Sequence, residues 1–362
     1  MISRWGWGTR LLVAATAALT MFLILHILLA GDWWPWVIVE MTPPLATVAV
    51  PLLLLAFVPF ARPVRRWLSL VLVLLLLAGA YLAGYGRGWT GSAIAGPRDT
   101  VIKVFSWNTN YWDMENDPHA FYAFLRRQNA DVYLLQEHLY GVINDTAYNE
   151  VIRIDATAGL RAAFPGYQIS VEGEFVTLSR LPIVRAHHQT VPGTGDDWFW
   201  KGPKFQRTEI QVGKRPVSFY NVHLPGPLRG GNPLTAEFYE RQKKQSIWRF
   251  DNLRKLRTNV AGNPHPIVMA GDFNSPWTEL YSFRPGTRAQ GPPDALAPLH
   301  TWPISRFSLP RMWRLDWLYT TDGLTVPSYH LDGGGKALSD HAAQEFRVVV
   351  PDKAQEQKGQ VP

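Results

Sequence analysis

The centre of this sequence is the stretch Val268-Met269-Ala270-Gly271-Asp272-Phe273-Asn274-Ser275, in which an apolar run ends in a polar turn. The run 266–270 predicts a buried strand that ends at Gly271. Asp272 and Asn274 come at alternate positions, so their side chains point to the same side of the chain. A carboxylate that can take a proton, beside an amide that donates and accepts, suits the handling of a water molecule and a phosphate oxygen. Gly-Asp and Asn-Ser are also ordinary turn residues, so this stretch alone leaves a purely structural interpretation open.

On both sides of this stretch, from Val101 onward, strand-like runs alternate with amphipathic helical segments. The predicted strands are 101–107, 132–136, 175–179, 209–212, 217–223, 267–270, 315–320 and 345–350, and the predicted helices are 118–128 and 235–257. Strands outnumber helices but are interspersed with them, which favours an α/β (α+β) fold with layered packing.

Polar side chains follow most of these strands. Asn108, Glu137, Asp272 and Asn274 follow strands, His223 ends 217–223, Asp316 lies inside 315–320, and Asp340 and His341 precede 345–350. Each has a plain structural explanation, such as a solvated strand end, a core histidine or a turn residue. Together they supply carboxylates, amides and imidazoles without any cysteine, and such oxygen-rich sets suit Mg²⁺ or Mn²⁺.

In this order, the segments resemble the signature blocks of the endonuclease/exonuclease/phosphatase superfamily, which includes DNase I. The blocks are Gly271-Asp272-Phe273-Asn274, Ser339-Asp340-His341 and Ser179-Arg180-Leu181-Pro182-Ile183, and the resemblance spans 101–350. It implies a four-layer sandwich of two packed β-sheets flanked by helices. It also implies a metal-dependent phosphoric ester hydrolase.

The resemblance also implies roles for the metal-binding and water-handling residues. Glu137 is the main ligand of Mg²⁺ or Mn²⁺, with Asn108 and Asp340 beside it. Asp272 positions or deprotonates the attacking water, and Asn274 orients the water or the phosphate. The reaction is an in-line attack of water on a phosphoester.

Two histidines complete the implied site. His341 contacts the phosphate while Asp316 holds its other ring nitrogen. His223 is a second phosphate contact or the proton donor to the leaving oxygen. The sequence offers no clear counterpart of the further carboxylate that pairs with this histidine in DNase I.

Three apolar segments precede this domain and predict a membrane anchor, residues 1–86. The spans are about 11–30, 37–60 and 67–85, followed by a linker at 87–100, the catalytic domain at 101–351 and a disordered tail at 352–362. The first span alone fits a signal peptide, but the two further spans argue against cleavage. Glu40, Pro43, Pro44 and Pro51 make the second span a candidate for a re-entrant or kinked segment.

The arginines predict how the anchor is oriented. Arg4 and Arg10 precede the first span, and three more lie between the second and third, whereas the loop 31–36 has three tryptophans and no basic residue. The positive-inside rule then puts the N-terminus in the cytoplasm and the catalytic domain outside the cell membrane.

Charge and cysteine content exclude some classes of protein. The formal charge is +7; residues 1–90 have six arginines against two acids, or +4, and the remainder has 30 basic and 27 acidic residues, or +3. A domain this close to neutral gives little support for strong non-specific binding to duplex DNA. The absence of cysteine excludes disulfides and thiolate metal sites.

The loop 196–204 bears on the substrate, because three consecutive aromatic residues lie beside two lysines. It is either folded back onto the core or a wedge that meets lipid headgroups or stacks on bases. With a bilayer-anchored site, it slightly favours a phospholipid or lipid-linked substrate. An extracellular Mg²⁺-dependent nuclease acting on DNA or RNA is the alternative, and a non-catalytic membrane-bound binding module is a third hypothesis.

Overall fold

The computed structural model describes residues 5–85, 96, 98–112, 118–144, 147–189, 191, 197–277, 282–292, 299–305 and 310–352. Most of the predicted linker (87–100) and nearly all of the predicted tail (352–362) lie outside the described residues.

The described chain contains eight α-helices and fourteen strands. The helices are α1 (Trp7–Leu29), α2 (Val37–Glu40), α3 (Ala46–Phe57), α4 (Arg65–Leu82), α5 (Pro118–Gln128), α6 (Thr157–Ala163), α7 (Asp197–Trp200) and α8 (Ala236–Ala261). The strands are β1 (Thr100–Asn108), β2 (Val132–Gln136), β3 (Leu139–Asn144), β4 (Ala147–Arg153), β5 (Gln168–Glu172), β6 (Phe175–Ser179), β7 (Ile183–His187), β8 (Phe205–Val212), β9 (Arg215–His223), β10 (Ile267–Asp272), β11 (Thr287–Gln290), β12 (Asp316–Thr321), β13 (Thr325–Asp332) and β14 (Ala343–Val350).

The strands form two mixed six-stranded sheets and a separate β3-β4 hairpin. One sheet has the order β13-β14-β1-β2-β6-β5 and the other β11-β12-β10-β9-β8-β7. The sheets pack face to face. Because side chains alternate along each strand, one set lies between the two sheets and the other set packs against the outer helices. In β10, Val268 and Ala270 belong to the core between the sheets, whereas Ile267 and Met269 pack against the α8 side. On the outside of the other sheet, α5 and α6 complete the predicted four-layer sandwich.

Two parallel strand pairs bring the polar strand ends to one edge. β1 pairs with β2 so that Asn108 lies opposite Gln136, and β9 pairs with β10 so that Asp272 lies opposite His223. The second pair is unusually close at Gly271, which has φ 142°, and a Cβ there would lie 2.0 Å from the carbonyl oxygen of Val222. Only glycine fits that position.

The N-terminal apolar segments form three packed helices, of which α1 and α4 are long and apolar enough to cross a membrane. The prediction of three full spans is wrong for the middle segment. Its helical structure breaks at Thr42-Pro43-Pro44, leaving an apolar helix over Ala46–Phe60 that is shorter than a full span. By length and position α1 also meets the criteria of a signal sequence.

The helices α1, α3 and α4 alternate in direction. At one end Leu12 packs with Val58, Ala61 and Leu68. At the other end the Thr47 hydroxyl donates to the Gly79 carbonyl at 2.9 Å, so α3 and α4 are antiparallel.

The connection between α1 and α3, residues 30–45, contacts the two-sheet domain that begins at β1. The indole N–H of Trp277 donates to the Glu40 carbonyl at 2.8 Å, and that of Trp313 donates to the Met41 carbonyl at 2.9 Å. The His26 ring lies against Trp277, with centroids 4.3 Å apart. The chain therefore folds with the end of α1 against this domain.

Candidate active site

The site begins where strands of both sheets end side by side. The Nδ2 of Asn108 donates to Glu137 Oε1 and to Asp272 Oδ2, both at 3.0 Å, and so joins the two sheets. Directly beneath, Gln136 Nε2 donates to Asn221 Oδ1 at 2.6 Å, a second polar link across the buried space between the sheets. These bonds fix the spacing of the two halves of the site.

Asp272 and Asn274 form a small rigid unit, as their alternate spacing predicts. Asp272 Oδ1 accepts the backbone N–H of Asn274 at 2.7 Å, and Asn274 Nδ2 donates to Asp272 Oδ2 at 3.1 Å and to the Leu224 carbonyl at 3.0 Å. Asn274 has φ 51°, a left-handed conformation that asparagine tolerates better than most residues. Burial raises the pKa of Asp272; the nearby His341 opposes this rise and Asp316 adds to it.

His341 is held by the carboxylate that the resemblance implies. Its Nδ1 lies 2.9 Å from Asp316 Oδ2, and its Nε2 lies 3.7 Å from Asp272 Oδ2. Ser339 fixes the preceding turn, because its hydroxyl accepts the His341 N–H and donates to the Asn108 carbonyl. Burial opposes charging of the ring, but Asp316 and Asp272 raise the pKa of His341 well above its ordinary value. The ring is therefore fixed in orientation, and the two carboxylates favour its charged form.

His223 also has a carboxylate partner, which the sequence did not reveal. Its Nδ1 lies 2.7 Å from Glu174 Oε2, and its Nε2 lies 3.4 Å from Glu137 Oε1. Burial lowers the pKa of His223, but Glu174 outweighs burial and raises it to about 9. Glu174 also accepts a 2.6 Å hydrogen bond from the buried Lys204. Burial raises the pKa of Glu174, whereas His223 and Lys204 bring it down to about 2.

The geometry of β6 explains why Glu174 was missed. Most of the predicted site residues follow a hydrophobic strand, whereas Glu174 precedes one. Because β6 is antiparallel to β2, the start of β6 lies at the edge where β2 ends, and His138 N–H donates to the Glu174 carbonyl at 2.9 Å. An acidic residue between Gly173 and the strand Phe175–Ser179 was the available signal.

The carboxylates fit a divalent cation. Oε2 of Glu137 is buried and has no hydrogen-bond partner among the described residues. Burial raises the pKa of Glu137, a penalty on its charged form that His223 only partly offsets. Ligand atoms of Glu137, His223 and Asp272 lie within 4.8 Å of one another. A cation here would satisfy the unpaired oxygen and stabilise the carboxylates.

Asp340, the third predicted ligand, has a different setting. Its Oδ2 accepts the indole N–H of Trp302 at 2.9 Å. Within the described residues it belongs to neither group of potential ligands; the second group is Asp272, Asp316 and His341. The structure thus brings together seven of the eight predicted site residues, and metal binding by Asp340 stays a prediction.

The loop 196–204 is folded back where the structure describes it, from Asp197. Trp200 packs on Trp248 of α8 at 5.3 Å between centroids, and Lys204 Nζ lies 3.3 Å from the centre of the Phe199 ring. These residues line a cavity beside the site, and the loop does not form a projecting wedge.

A model of the endonuclease/exonuclease/phosphatase family matches residues 105–341. The chain belongs to the endonuclease/exonuclease/phosphatase family. Members of this family hydrolyse phosphoesters with the help of a divalent metal, so this chain is a metal-dependent phosphoester hydrolase. All eight predicted site residues lie within the family match.

Solved structures of the same fold are similar to this family member over most of its length. Truncated TDP2 from Caenorhabditis elegans has 19% identity and a TM-score of 0.46, covering 68% of this chain and 97% of its own. A family protein from Beutenbergia cavernae has 18% identity and a TM-score of 0.43, covering 69% and 72%. One from Bacteroides thetaiotaomicron has 13% identity and a TM-score of 0.43, covering 71% and 100%. A search of curated proteins finds no match.

Proposed function

We propose that this protein is a membrane-anchored phosphoesterase that uses Mg²⁺ or Mn²⁺ to hydrolyse a phosphoester carried by a lipid at the outer face of the cell membrane. A phospholipid and a lipid-linked pyrophosphate are the two substrate candidates. The proposal has three parts, which are the chemistry, the location of the site and the orientation of the anchor.

The chemistry is assigned first to the residues around Glu137. Glu137, Asn108 and Asp340 would hold the cation, which supplies positive charge to the phosphate and lowers the cost of the charge that builds up on its oxygens. Asp272 orients the attacking water and accepts its proton, in keeping with its raised pKa. Asn274 fixes the direction of the water or phosphate through its amide.

The two histidines act on different oxygens of the substrate phosphate. His341, held by Asp316, donates from Nε2 to a phosphate oxygen and stabilises its charge. His223, held by Glu174, is protonated at neutral pH and donates its proton to the leaving oxygen. The contact with Glu174, which was not recognised from the sequence, therefore makes His223 a stronger candidate for the general acid.

The observation that carries the lipid assignment is the contact between the 30–45 connection and the site loops. Trp277, which binds the Glu40 carbonyl, is three residues beyond Asn274, and Trp313, which binds the Met41 carbonyl, packs on Trp302 beside Asp340. α8 also contacts the turn Trp34–Trp36. An active site built against the end of a membrane helix is within reach of substrates in that bilayer.

The packing of the anchor supports an extracytoplasmic site. Arg10 and Arg62 to Arg66 lie toward the end of the helix bundle where Leu12 meets Val58 and Ala61, opposite the end that contacts the catalytic domain. Positive residues favour the cytoplasmic side, so the catalytic domain would be outside. A reporter enzyme that is active only outside the cytoplasm, fused after Gln357, should be active; an inactive reporter with normal expression would reverse this orientation.

A substrate screen tests the function. The full chain, purified in detergent with Mg²⁺, should release phosphate or headgroup from lipid phosphoesters, and a chelator should abolish this turnover until Mg²⁺ or Mn²⁺ is returned. Asp272→Asn is the inactive control. Nicking of plasmid DNA that disappears in Asp272→Asn, without lipid hydrolysis, would instead establish a nuclease. Absence of turnover on every phosphoester would leave a binding module.

A further inference from the structure

A cavity of about 390 Å³ opens directly beside the catalytic residues. Glu137, His223 and Asn274 line one part of it, and Arg229 and Arg241 line another. Its volume is in the range of pockets that hold small ligands. The proposed reaction uses only the part of the cavity lined by Glu137, His223 and Asn274. The part lined by Arg229 and Arg241 has no role in it.

The loop that carries Arg229 is held in place by buried side chains of α8. Gln242 accepts the Arg229 N–H at 3.1 Å and donates to its carbonyl at 2.7 Å. Gln245 accepts from Arg229 Nε at 3.0 Å and donates to the Gly226 carbonyl at 2.8 Å. Arg249, fully buried, donates to the Pro225 carbonyl at 2.6 Å. So many buried polar groups directed at one short loop fix the position of the Arg229 guanidinium before any ligand arrives.

The charge of Arg229 is not neutralised by the part of the protein that the structure describes. No described carboxylate lies within ion-pair distance of it, and Arg241 has only the exposed Glu237, at 3.8 Å. Burial lowers the pKa of Arg229; the nearby Tyr111 opposes this effect, and the like charge of Arg241 adds to it. Lys204, which also lines the cavity, is already paired with Glu174. Two guanidinium groups thus line one partly buried space, and among the described residues only Arg241 has a carboxylate partner, the exposed Glu237.

The orientation of Arg229 suits an anion. Its guanidinium lies 4.9 Å from the centre of the Trp200 ring. Its Nε binds Gln245, and its two Nη groups make no hydrogen bond to the described residues. A guanidinium supported on an aromatic face, with both terminal nitrogens available, can bind a phosphate or carboxylate through two parallel hydrogen bonds.

We propose that Arg229, supported by Arg241, binds a second acidic group of the substrate, separate from the phosphate that is hydrolysed. The inference rests on the proposed function and narrows its substrate class to phosphoesters that carry a further phosphate or carboxylate near the scissile bond. Trp200 and Trp248 form an aromatic wall of the same cavity and would contact the carbon skeleton that joins or follows the two acidic groups.

Binding of non-hydrolysable probes tests this subsite directly. The full chain in detergent with Mg²⁺ is titrated calorimetrically with methylenediphosphonate, which has two acidic groups, and with methylphosphonate, which has one. Arg229→Gln should weaken diphosphonate binding about tenfold or more and monophosphonate binding less than twofold, because only the second group meets Arg229. Arg229→Lys should recover part of the loss. Arg288→Gln, at an exposed arginine of β11 paired with Asp322, is the matched control and should change neither.

The results separate the subsite from the function. An equal loss for both probes, or no loss for either, overturns the second-anion subsite even if lipid hydrolysis is observed. A selective loss supports the subsite even if the lipid assignment fails. Turnover of a lipid diphosphate and of a nucleoside diphosphate then identifies the source of the second acidic group: Arg229→Gln should raise KM for the true substrate with little change in kcat.

Discussion

Glu174 holds His223 in position through Nδ1, so removing its charge should lower the rate of catalysis. Glu174→Gln removes the negative charge that raises the pKa of the ring and holds Nδ1. We expect kcat to fall about 100-fold, in the range of a lost general acid. The measurement is steady-state hydrolysis of the substrate found by screening. Glu172→Gln, at a carboxylate two residues earlier that binds the Gln189 N–H, is the control and should stay near wild type.

A loss of metal affinity in the Glu174→Gln protein would contradict this assignment, because Glu174 would then act on Glu137 and not on the leaving oxygen.

Glu137 and Asp272 both accept a hydrogen bond from Asn108, but we expect different roles for them in metal binding and in catalysis. Glu137→Ala removes the carboxylate with the unpaired buried oxygen, so we expect a higher Mg²⁺ concentration for half-maximal activity. Asp272→Asn keeps the shape of the site but cannot take a proton, so we expect metal affinity to stay roughly intact and turnover to fall by orders of magnitude. Activity is measured against Mg²⁺ concentration for each variant. Equal loss of metal binding in both would show that the roles are wrongly divided.

At this scale the sequence predicted residues that stand next to hydrophobic runs or in family-like blocks, such as Asn108 and His341, and missed residues that other elements hold beside the site, such as Glu174 and Arg229. Asn108 and Glu137 were accessible because a hydrophobic run marks the strand before them. Glu174 starts an antiparallel strand, and Arg229 lies in a loop whose position depends on three α8 side chains. No local pattern reveals such contacts.

The close pairing of β9 and β10 requires a glycine, Gly271, at the point of contact. Gly271→Ala would place a Cβ 2.0 Å from the Val222 carbonyl, at φ 142°, and so must separate two central strands. We expect a loss of more than about 3 kcal/mol in unfolding free energy, or failure to fold. Gly291→Ala is the control, because a Cβ there meets nothing within 4 Å. Thermal unfolding of the full chain in detergent compares the two, and equal midpoints would contradict the close approach.

The pairing of β7 and β8 should give a pH-dependent contribution to stability. Burial raises the pKa of Glu209, but His187 and Arg207 outweigh burial and lower it below the ordinary 4.5. A depressed folded-state pKa stabilises the fold above that ordinary value, and the contribution disappears as pH falls through the folded pKa. Glu209→Gln should therefore cost about 1–3 kcal/mol at pH 7.

The measured quantity is the difference in unfolding midpoint between wild type and Glu209→Gln at pH 7 and at pH values falling below 4.5. The difference should shrink toward zero as the pH falls. Glu237→Gln, on the exposed side of α8, should show little difference at any pH. A constant difference for Glu209→Gln would mean that its charge does not matter.

Elements were predictable where burial imposes a clear pattern. Helix 118–128 and the strands 132–136 and 175–179 have the predicted bounds, because their apolar faces pack directly into the cores. The strands β7, β11 and β13 were missed: they lie at sheet edges and consist almost entirely of exposed and half-buried residues, so their sequences carry little hydrophobic signal. The full span predicted for the middle apolar segment was too long, and its helix breaks at Pro43-Pro44, where the sequence had already favoured a kink as the alternative.

The molecule as a whole is joined by specific contacts between the N-terminal helices with their connection 30–45 and the catalytic domain. Trp313→Phe keeps an aromatic ring and removes the N–H that binds the Met41 carbonyl. We expect a loss of about 1 kcal/mol in unfolding free energy. For a domain of this size that corresponds to a fall of about 2–4 °C in the unfolding midpoint. Trp7→Phe, at an exposed position on α1, is the control. An unchanged midpoint in Trp313→Phe would mean that this contact contributes nothing.

The docking of Trp277 and Trp313 on the 30–45 connection also affects how enzyme and substrate would meet. A catalytic domain fixed in this way does not sample the solution as it would on a long flexible tether. For a substrate in the same leaflet, encounters occur by lateral diffusion in two dimensions. Turnover should then follow the mole fraction of substrate among the surrounding lipids, and diluting the vesicles with buffer should matter far less than diluting them with inert lipid.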